Sequence, residues 1–112
     1  MTDLEINRLC AEAMGIDLEA EADRADARQG KWLHGYEKPL YNPLHDDAQA
    51  MALDEVIFKA GFGMSFSPKH VCVYPMNTTI EFYRMNADMT NAENRRRWRC
   101  ECVAKMQQAR KP

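Results

Sequence analysis

The chain has 112 residues, of which 46% are hydrophobic and 29% are charged, and its formal net charge is −2. This length suits one domain, and the composition excludes wholesale disorder. No apolar run approaches the roughly 20 residues that cross a bilayer, and the N-terminus lacks the basic start and apolar stretch of a signal peptide. We therefore expect a single domain over residues 1–112 that stays in the cytoplasm of the cell that makes it.

The first element in the chain is a helix over about residues 3–14. Thr2 and Glu5 have the spacing of a capping box, and Gly15 is a typical residue at a helix C-terminus. Apolar residues recur at helical intervals on one face of this segment, namely Ile6, Leu9, Cys10, Ala13 and Met14.

The next stretch changes character twice. Residues 17–30 are rich in Ala, Glu, Asp and Arg, and they have helix propensity but little to bury, so we expect a solvated acidic insertion. Residues 31–44 are aromatic and are interrupted by Gly35, Pro39 and Pro43. This pattern predicts an extended segment, an edge strand that leads into a turn.

A second helix is predicted to begin at Asn42, with Pro43 at the first helical position. Asp46 and Asp47 then lie at the positive end of the helix dipole, and this explains them better than a pair of catalytic carboxylates. Gly61 ends the helix. The predicted buried stripe consists of Ala48, Met51, Ala52 and Val56 and, less neatly, Leu53 and Ile57.

Three strands and a third helix complete the chain. The strands are predicted over residues 63–67, 70–74 and 79–84, where apolar residues alternate, and turn-like connections between them favour an antiparallel meander. Thr90 and Glu93 form a second possible capping box, so the last helix is expected to run to about Ala109.

The predicted fold class is α+β. A small antiparallel sheet of three to four strands is sandwiched by about three helices, in the order α-β-α-β-β-β-α, because a sheet must cover its apolar face.

The net charge conceals an asymmetry between the two halves of the chain. Residues 1–58 carry 13 acids and 5 bases, whereas residues 59–112 carry 4 acids and 10 bases. Such a split can steer an anionic partner toward the second half. It can equally serve self-association or solubility.

The last helix contains the one unusual cluster of side chains, NRRRWR at residues 94–99. A run of charge is usually a solvated helix face, but these arginines lie near the positive end of a helix dipole, where cations are disfavoured. On a helical wheel, Arg95 and Arg99 point along the apolar stripe, Arg97 points away from it, and Arg96 lies at its margin.

Two aromatic residues lie close to these arginines in the sequence. Arginines at a helix N-terminus bind phosphate or carboxylate well, and Trp98 or Tyr83 could stack on a ring. The candidate anion-binding site is therefore Arg95, Arg96, Arg99, Trp98 and Tyr83. The same residues could instead belong to the core and its solvated margin.

No catalytic or metal-binding motif is present, and we expect no cofactor. The four cysteines, Cys10, Cys72, Cys100 and Cys102, are expected to be reduced and mostly buried. Their spacing, with that of the three histidines, does not match a structural zinc site. The chain has no glycine-rich phosphate loop, no GxSxG and no HExxH.

Three segments of the chain resemble the phage ABA-sandwich domain family. They are MTDLEINRLCAEAMG at the N-terminus, YNPLHDDAQAMAL in the second helix and NRRRWRCECVAKMQQA in the last helix. The resemblance covers about half of the chain. It implies a small protein of phages or prophages with an α/β/α-type sandwich and no assigned activity.

The function expected from this resemblance is that of a non-enzymatic phage accessory protein that acts by binding. The favoured partner is a host protein, such as a component of a CRISPR or other defence system. One alternative is sequestration of a nucleotide-type anion by the last helix, and another is nucleic-acid binding, which the acidic net charge disfavours. A homodimer through Trp32, Tyr36 and Tyr41 is a further possibility.

Overall fold

The computed structural model describes residues 1–18, 41–78 and 80–110. In this part of the chain, three helices and three strands follow the order α-α-β-β-β-α: α1 (Asp3–Met14), α2 (Asp47–Lys59), β1 (Phe62–Ser67), β2 (His70–Pro75), β3 (Tyr83–Asn86) and α3 (Ala92–Arg110). The strands form one antiparallel sheet in the order β1-β2-β3. The predicted α+β class is therefore confirmed. The predicted insertion and most of the predicted edge strand lie outside the described residues.

Helix α1 has the ends that the sequence predicts. The Thr2 hydroxyl accepts a hydrogen bond from the Glu5 amide at 3.1 Å, which is the N-cap half of a capping box. The same hydroxyl donates to the Glu5 carboxylate at 3.2 Å. At the other end, Gly15 adopts a left-handed conformation with φ of 71°, which glycine reaches without a Cβ penalty.

The start of α2 differs from the prediction. Asp46, not Asn42, is the N-cap, and its carboxylate accepts a hydrogen bond from the Gln49 amide at 3.0 Å. Pro43 lies in a preceding turn, which is closed by a hydrogen bond from the His45 amide to the Asn42 carbonyl at 3.0 Å. Asp46 can cap this helix because its side chain and backbone both satisfy free amides of the first turn.

The predicted buried face of α2 is right for Leu53 and Ile57 but wrong for Ala48, Met51 and Ala52, which are exposed. The buried residues are Ala50, Leu53 and Ile57, whereas Met51 is 60% exposed. Apolar residues occur on every side of this helix, so its periodicity leaves the rotation about its axis open. Contacts with α3, described below, settle that rotation.

The β1–β2 hairpin agrees closely with the prediction. Its two-residue turn, Pro68 and Lys69, pairs Ser67 with His70, and the register runs without a bulge to Phe62 opposite Pro75. The chain enters β1 through Gly61, whose φ is +85°. A Cβ at Gly63 would lie 2.6 Å from the Met76 sulfur atom, so the exposed Met76 side chain would have to move aside for any other residue.

The third strand lies about four residues later than predicted. Residues 80–82 precede the strand, and Ile80 is 76% exposed. In β3 it is Tyr83 and Met85 that pair with Val73 and Val71. In a short segment with alternating residues, the strand can begin at either of two neighbouring positions, and each choice turns a different set of side chains to the core. Pairing with β2 selects the set that contains Tyr83 and Met85.

The start of α3 also differs from the second predicted capping box. Asn91 accepts a hydrogen bond from the Asn94 amide at 3.2 Å, so it takes the capping position. The Thr90 hydroxyl instead donates to the Asp88 carboxylate at 2.6 Å. The helix then continues to Arg110, close to the predicted end.

All of the described elements contribute to one hydrophobic core. α3 lies at its centre, with Trp98, Cys102 and Val103 fully buried, and Val71 and Val73 of the sheet join the same cluster. None of the helices in the described ranges is both long and apolar enough to cross a membrane.

Candidate functional site

Arg95 and Arg96, the first two arginines of α3, hold loops that precede helices. One amino group of Arg95 donates to the carbonyls of Met89 at 3.1 Å and Thr90 at 2.9 Å. Arg96 donates to the Leu44 carbonyl at 3.0 Å and to the Asp47 carboxylate at 2.8 Å. Arg95 is exposed rather than core-facing, because it lies at the helix end, where its guanidinium folds back onto the loop.

Arg97 and Arg99 connect α3 to the other two helices. Arg97 binds Asp3 of α1 at 2.8 Å and Glu101 of α3 at 3.0 Å. Arg99 binds Asp54 of α2 at 2.8 Å, and the exposed fractions of these two side chains are only 14% and 27%. The wheel position that places Arg99 toward the core is thus confirmed.

These ion pairs account for much of the charge asymmetry along the chain. The basic second half of the sequence supplies Arg96, Arg97 and Arg99, and the acidic first half supplies the aspartates that bind them, Asp47, Asp3 and Asp54. Charges of opposite sign are therefore brought together by folding. In the observed rotation of α2, Asp47 and Asp54 lie toward α3, and Ala50, Leu53 and Ile57 are buried.

Two pKa shifts follow from these contacts. The hydrogen bond from Arg96 lowers the pKa of the Asp47 carboxyl below its ordinary value. The hydrogen bond to Asp3 raises the pKa of the Arg97 guanidinium. Each shift favours the charged form of the group concerned.

The two aromatic candidates do not join the arginines in an open pocket. Trp98 is fully buried, and its indole N–H has no hydrogen-bond partner in the described residues. Tyr83 donates to the Glu101 carboxylate at 2.6 Å, and burial raises its pKa. Tyr83 also lines a cavity of about 510 Å³ together with Met1, Ile6, Glu101, Lys105 and Gln108.

The residues of the predicted anion-binding site do not form an open pocket with free guanidinium groups. Each of its arginines donates to a carbonyl or carboxylate of this chain, and the Trp98 face lies under the guanidinium of Arg99, 5.0 Å from its ring centre. An anion would have to compete with these partners. The contacts favour a role in joining helices, and anion binding stays a prediction.

The cysteines are free and buried, as predicted. The Cys10 thiol donates to the Cys100 carbonyl at 3.3 Å and so connects α1 to α3. Burial raises the pKa of Cys102 to about 12, and burial also raises the pKa of Cys72. A thiol with a raised pKa forms little thiolate at neutral pH and is a poor nucleophile.

No cluster of three metal-ligating side chains occurs in the parts of the chain that the structure describes.

Sequence reasoning missed an exposed apolar region beside α2. Phe58 and Met51 of α2 are 58% and 60% exposed, and Phe66 of β1 is 54% exposed. On the helix, both α2 residues neighbour Asp54, which binds Arg99. The Phe66 ring meets Trp98 with 5.4 Å between ring centres, and Arg99 lies over the same indole. Phe66 therefore shares a neighbour with the Arg99–Asp54 ion pair, which Met51 and Phe58 flank on α2.

In the part of the chain that the structure describes, the backbone of β1 adds an unpaired strand edge to this region. The Met76 amide bonds to the Gly61 carbonyl at 2.9 Å, and hydrogen-bonded pairs alternate along an antiparallel ladder. The N–H and C=O groups of Phe62, Met64 and Phe66 therefore point away from β2. β1 is an edge strand of the described sheet. We call these backbone groups, with the side chains of Met51, Phe58 and Phe66, the α2–β1 surface.

Within residues 1–18, 41–78 and 80–110, nothing gives the α2–β1 surface the usual protection of a sheet edge. Natural edge strands carry charges, prolines or bulges, or are very short, because an open edge recruits other strands. β1 has six residues, FGMSFS, with no charge and no proline, and its register has no bulge. This uncharged strand is the one signal in the sequence that could have indicated the surface, had β1 been known to lie at an edge.

Comparison with known proteins adds no relative. No family model, no curated protein and no solved structure matches the chain. The resemblance to the phage ABA-sandwich domain family stays a prediction.

Proposed function

We propose that this protein acts by binding another protein at the α2–β1 surface, not by catalysing a reaction. The observation that carries the proposal is the combination of a strand edge that no described residue covers with Met51, Phe58 and Phe66, each more than half exposed. Aromatic residues and methionine are enriched at protein interfaces. Backbone groups of an open edge add hydrogen bonds to a partner's extended segment.

The kind of partner is proposed from the sequence resemblance. A phage accessory protein works inside the host cell, and its partner is then a host protein, such as a component of a CRISPR or other defence system. The location and the counter-defence role rest on the resemblance alone. The α2–β1 surface supports only the narrower statement that the partner is a protein.

The experiment that tests this proposal is a capture of partners from bacterial lysate with two matched variants. Phe58→Asp places a charge in the α2–β1 surface, and Ile80→Asp places one at a residue that is 76% exposed but lies before β3. We expect wild type and Ile80→Asp to retain the same partner in stoichiometric amount, and Phe58→Asp to lose it. Equal capture by all three proteins, or none by any, contradicts the proposal.

A further inference from the structure

The outward residues of β1 form a palindrome. Phe62, Met64 and Phe66 project their backbone groups from the open edge, and their order is the same in both chain directions. A two-fold axis through Met64 therefore places Phe62 of one copy opposite Phe66 of the other. Such an isologous contact is the commonest way in which identical chains associate.

We infer that two copies of this chain pair their β1 edges antiparallel about Met64 and form one continuous six-stranded sheet. This inference concerns the α2–β1 surface, as the proposed function does. When no other protein is bound there, a second copy of this chain occupies the surface. The three facing pairs of outward residues would exchange about six backbone hydrogen bonds.

Side chains support the same register. The ring of Phe66 is 54% exposed, and in the pair it lies beside Phe62 of the second copy, an aromatic cross-strand contact made twice. Between these pairs, Ser65 faces Gly63 of the second copy, where small side chains avoid a clash. No charged residue lies within β1 to oppose its symmetry mate.

The helices fit this arrangement because a two-fold axis normal to the sheet keeps both helix layers on one side. α2 packs beside β1 in each copy, so both α2 helices lie at the junction. The half-exposed side chains of Met51, Phe58 and Phe66 each offer roughly 100 Å². Together they supply about 300 Å² per copy, against about 800 Å² per partner in a standard interface, so the dimer is weak and concentration-dependent.

Sedimentation velocity over a wide concentration range tests the pairing. Wild type should pass from monomer to dimer with a dissociation constant in roughly the micromolar range. Met64→Pro removes an outward N–H that takes no part in the β1–β2 ladder, and edge strands tolerate proline at such positions. This variant should remain a monomer at every concentration.

The matched control is Asn86→Pro on the opposite edge of the sheet. Asn86 pairs with His70 at a position that is not hydrogen-bonded, because the Ala87 amide bonds to the Lys69 carbonyl at 3.0 Å. Its N–H therefore also points outward. Asn86→Pro should dimerise as wild type does, and a wild-type protein that stays monomeric, or equal dimerisation of Met64→Pro, overturns the inference.

Hydrogen exchange of the wild-type protein tests the pairing without a variant. The amides of Phe62, Met64 and Phe66 should become protected as concentration rises, whereas those of Arg84 and Asn86 should exchange at an unchanged rate. Protection that does not depend on concentration, or that rises at Arg84 and Asn86 instead, contradicts pairing through β1.

The outcomes for this inference and for the proposed function are separable. A monomeric wild type that captures a partner through Phe58 overturns the dimer and supports the function. A dimer that dissociates with Met64→Pro, combined with no captured partner, supports the dimer and contradicts the function.

Discussion

The arginine cluster of α3 and the α2–β1 surface lie side by side but are opposite in construction. The arginines are conspicuous in the sequence, and each one donates to an oxygen of its own chain. The α2–β1 surface is inconspicuous in the sequence, yet it leaves Phe58, Phe66 and Met51 more than half exposed. Trp98 lies between them, under Arg99 on one side and against Phe66 on the other.

The difference indicates which region is available to a partner. A charge run near a helix N-terminus is electrostatically unfavourable by itself, and carboxylates of α1 and α2 compensate it here. Removing those arginines should therefore damage the fold. Removing the exposed apolar side chains should leave the fold intact and change association.

The largest effect is expected for Arg99→Ala. It leaves the carboxylate of Asp54, 27% exposed, without its partner, and loss of a charged hydrogen bond at a partly buried site costs about 2 kcal/mol in the free energy of unfolding. Urea denaturation measures this change. The control Arg110→Ala, at an exposed helix end, should change stability by less than about 0.5 kcal/mol, and equal effects of the two variants would show that Arg99 has no structural role.

A smaller effect is expected for Arg97→Ala. Its partner Asp3 is 61% exposed, and exposed ion pairs contribute about 1 kcal/mol or less. Its other partner, Glu101, is 29% exposed but keeps the hydrogen bond from Tyr83 when Arg97 is removed. Added salt screens exposed charges more than buried ones. The cost of Arg97→Ala should therefore shrink in high salt while the cost of Arg99→Ala persists, as urea titrations at two salt concentrations would reveal. The opposite salt dependence would reverse the assignment of exposed and buried pairs.

Acid should weaken the charged contacts and spare the α2–β1 surface. Arg96 lowers the pKa of Asp47, and Arg84 lowers the pKa of Glu81. A carboxyl whose pKa is lower in the folded state adds stability above its unfolded pKa of about 4. That stability is lost as the pH falls from about 4 through the folded pKa.

The test is the urea midpoint from neutral pH to about pH 3. Asp47→Asn should show a shallower decline than wild type, because one of the carboxyls that take up protons is gone. Phe58→Ser should decline in parallel with wild type. A decline that Asp47→Asn leaves unchanged would mean that the Arg96 contact does not contribute to acid sensitivity.

The smallest change in stability is expected for Phe58→Ser. With 58% of the side chain exposed, the substitution should alter the free energy of unfolding of the monomer by less than about 0.5 kcal/mol, measured by urea denaturation at low protein concentration. A loss above about 1 kcal/mol would place Phe58 in the core and remove it from the α2–β1 surface.

The possible homodimer through Trp32, Tyr36 and Tyr41 shows where sequence reasoning stops. Tyr41 is only 5% exposed, so it is not part of an open surface, and Trp32 and Tyr36 lie outside the described residues. Aromatic composition does not distinguish a buried ring from an exposed one, since both are common in proteins. The aromatic residues that do face solvent, Phe58 and Phe66, drew no attention in the sequence.

The sequence by itself determined the elements whose signals are local. The capping box of Thr2 and Glu5 and the glycine at residue 15 define both ends of α1, and a two-residue turn joins two alternating strands into the β1–β2 hairpin. These features depend on neighbours within a few residues. The α+β class follows from their order along the chain.

Only the tertiary structure decided how these elements face one another. α2 has apolar residues on every side, and its rotation is seen only in the fold, where Ala50, Leu53 and Ile57 are buried. In the same rotation Asp47 and Asp54 meet arginines 49 and 45 residues away. The phase of β3 depends on pairing with β2, and the open edge of β1 depends on which strands lie beside it. The rotation of α2, the phase of β3 and the open edge of β1 all depend on contacts between residues that are far apart in the sequence. Local periodicity does not contain information on such contacts.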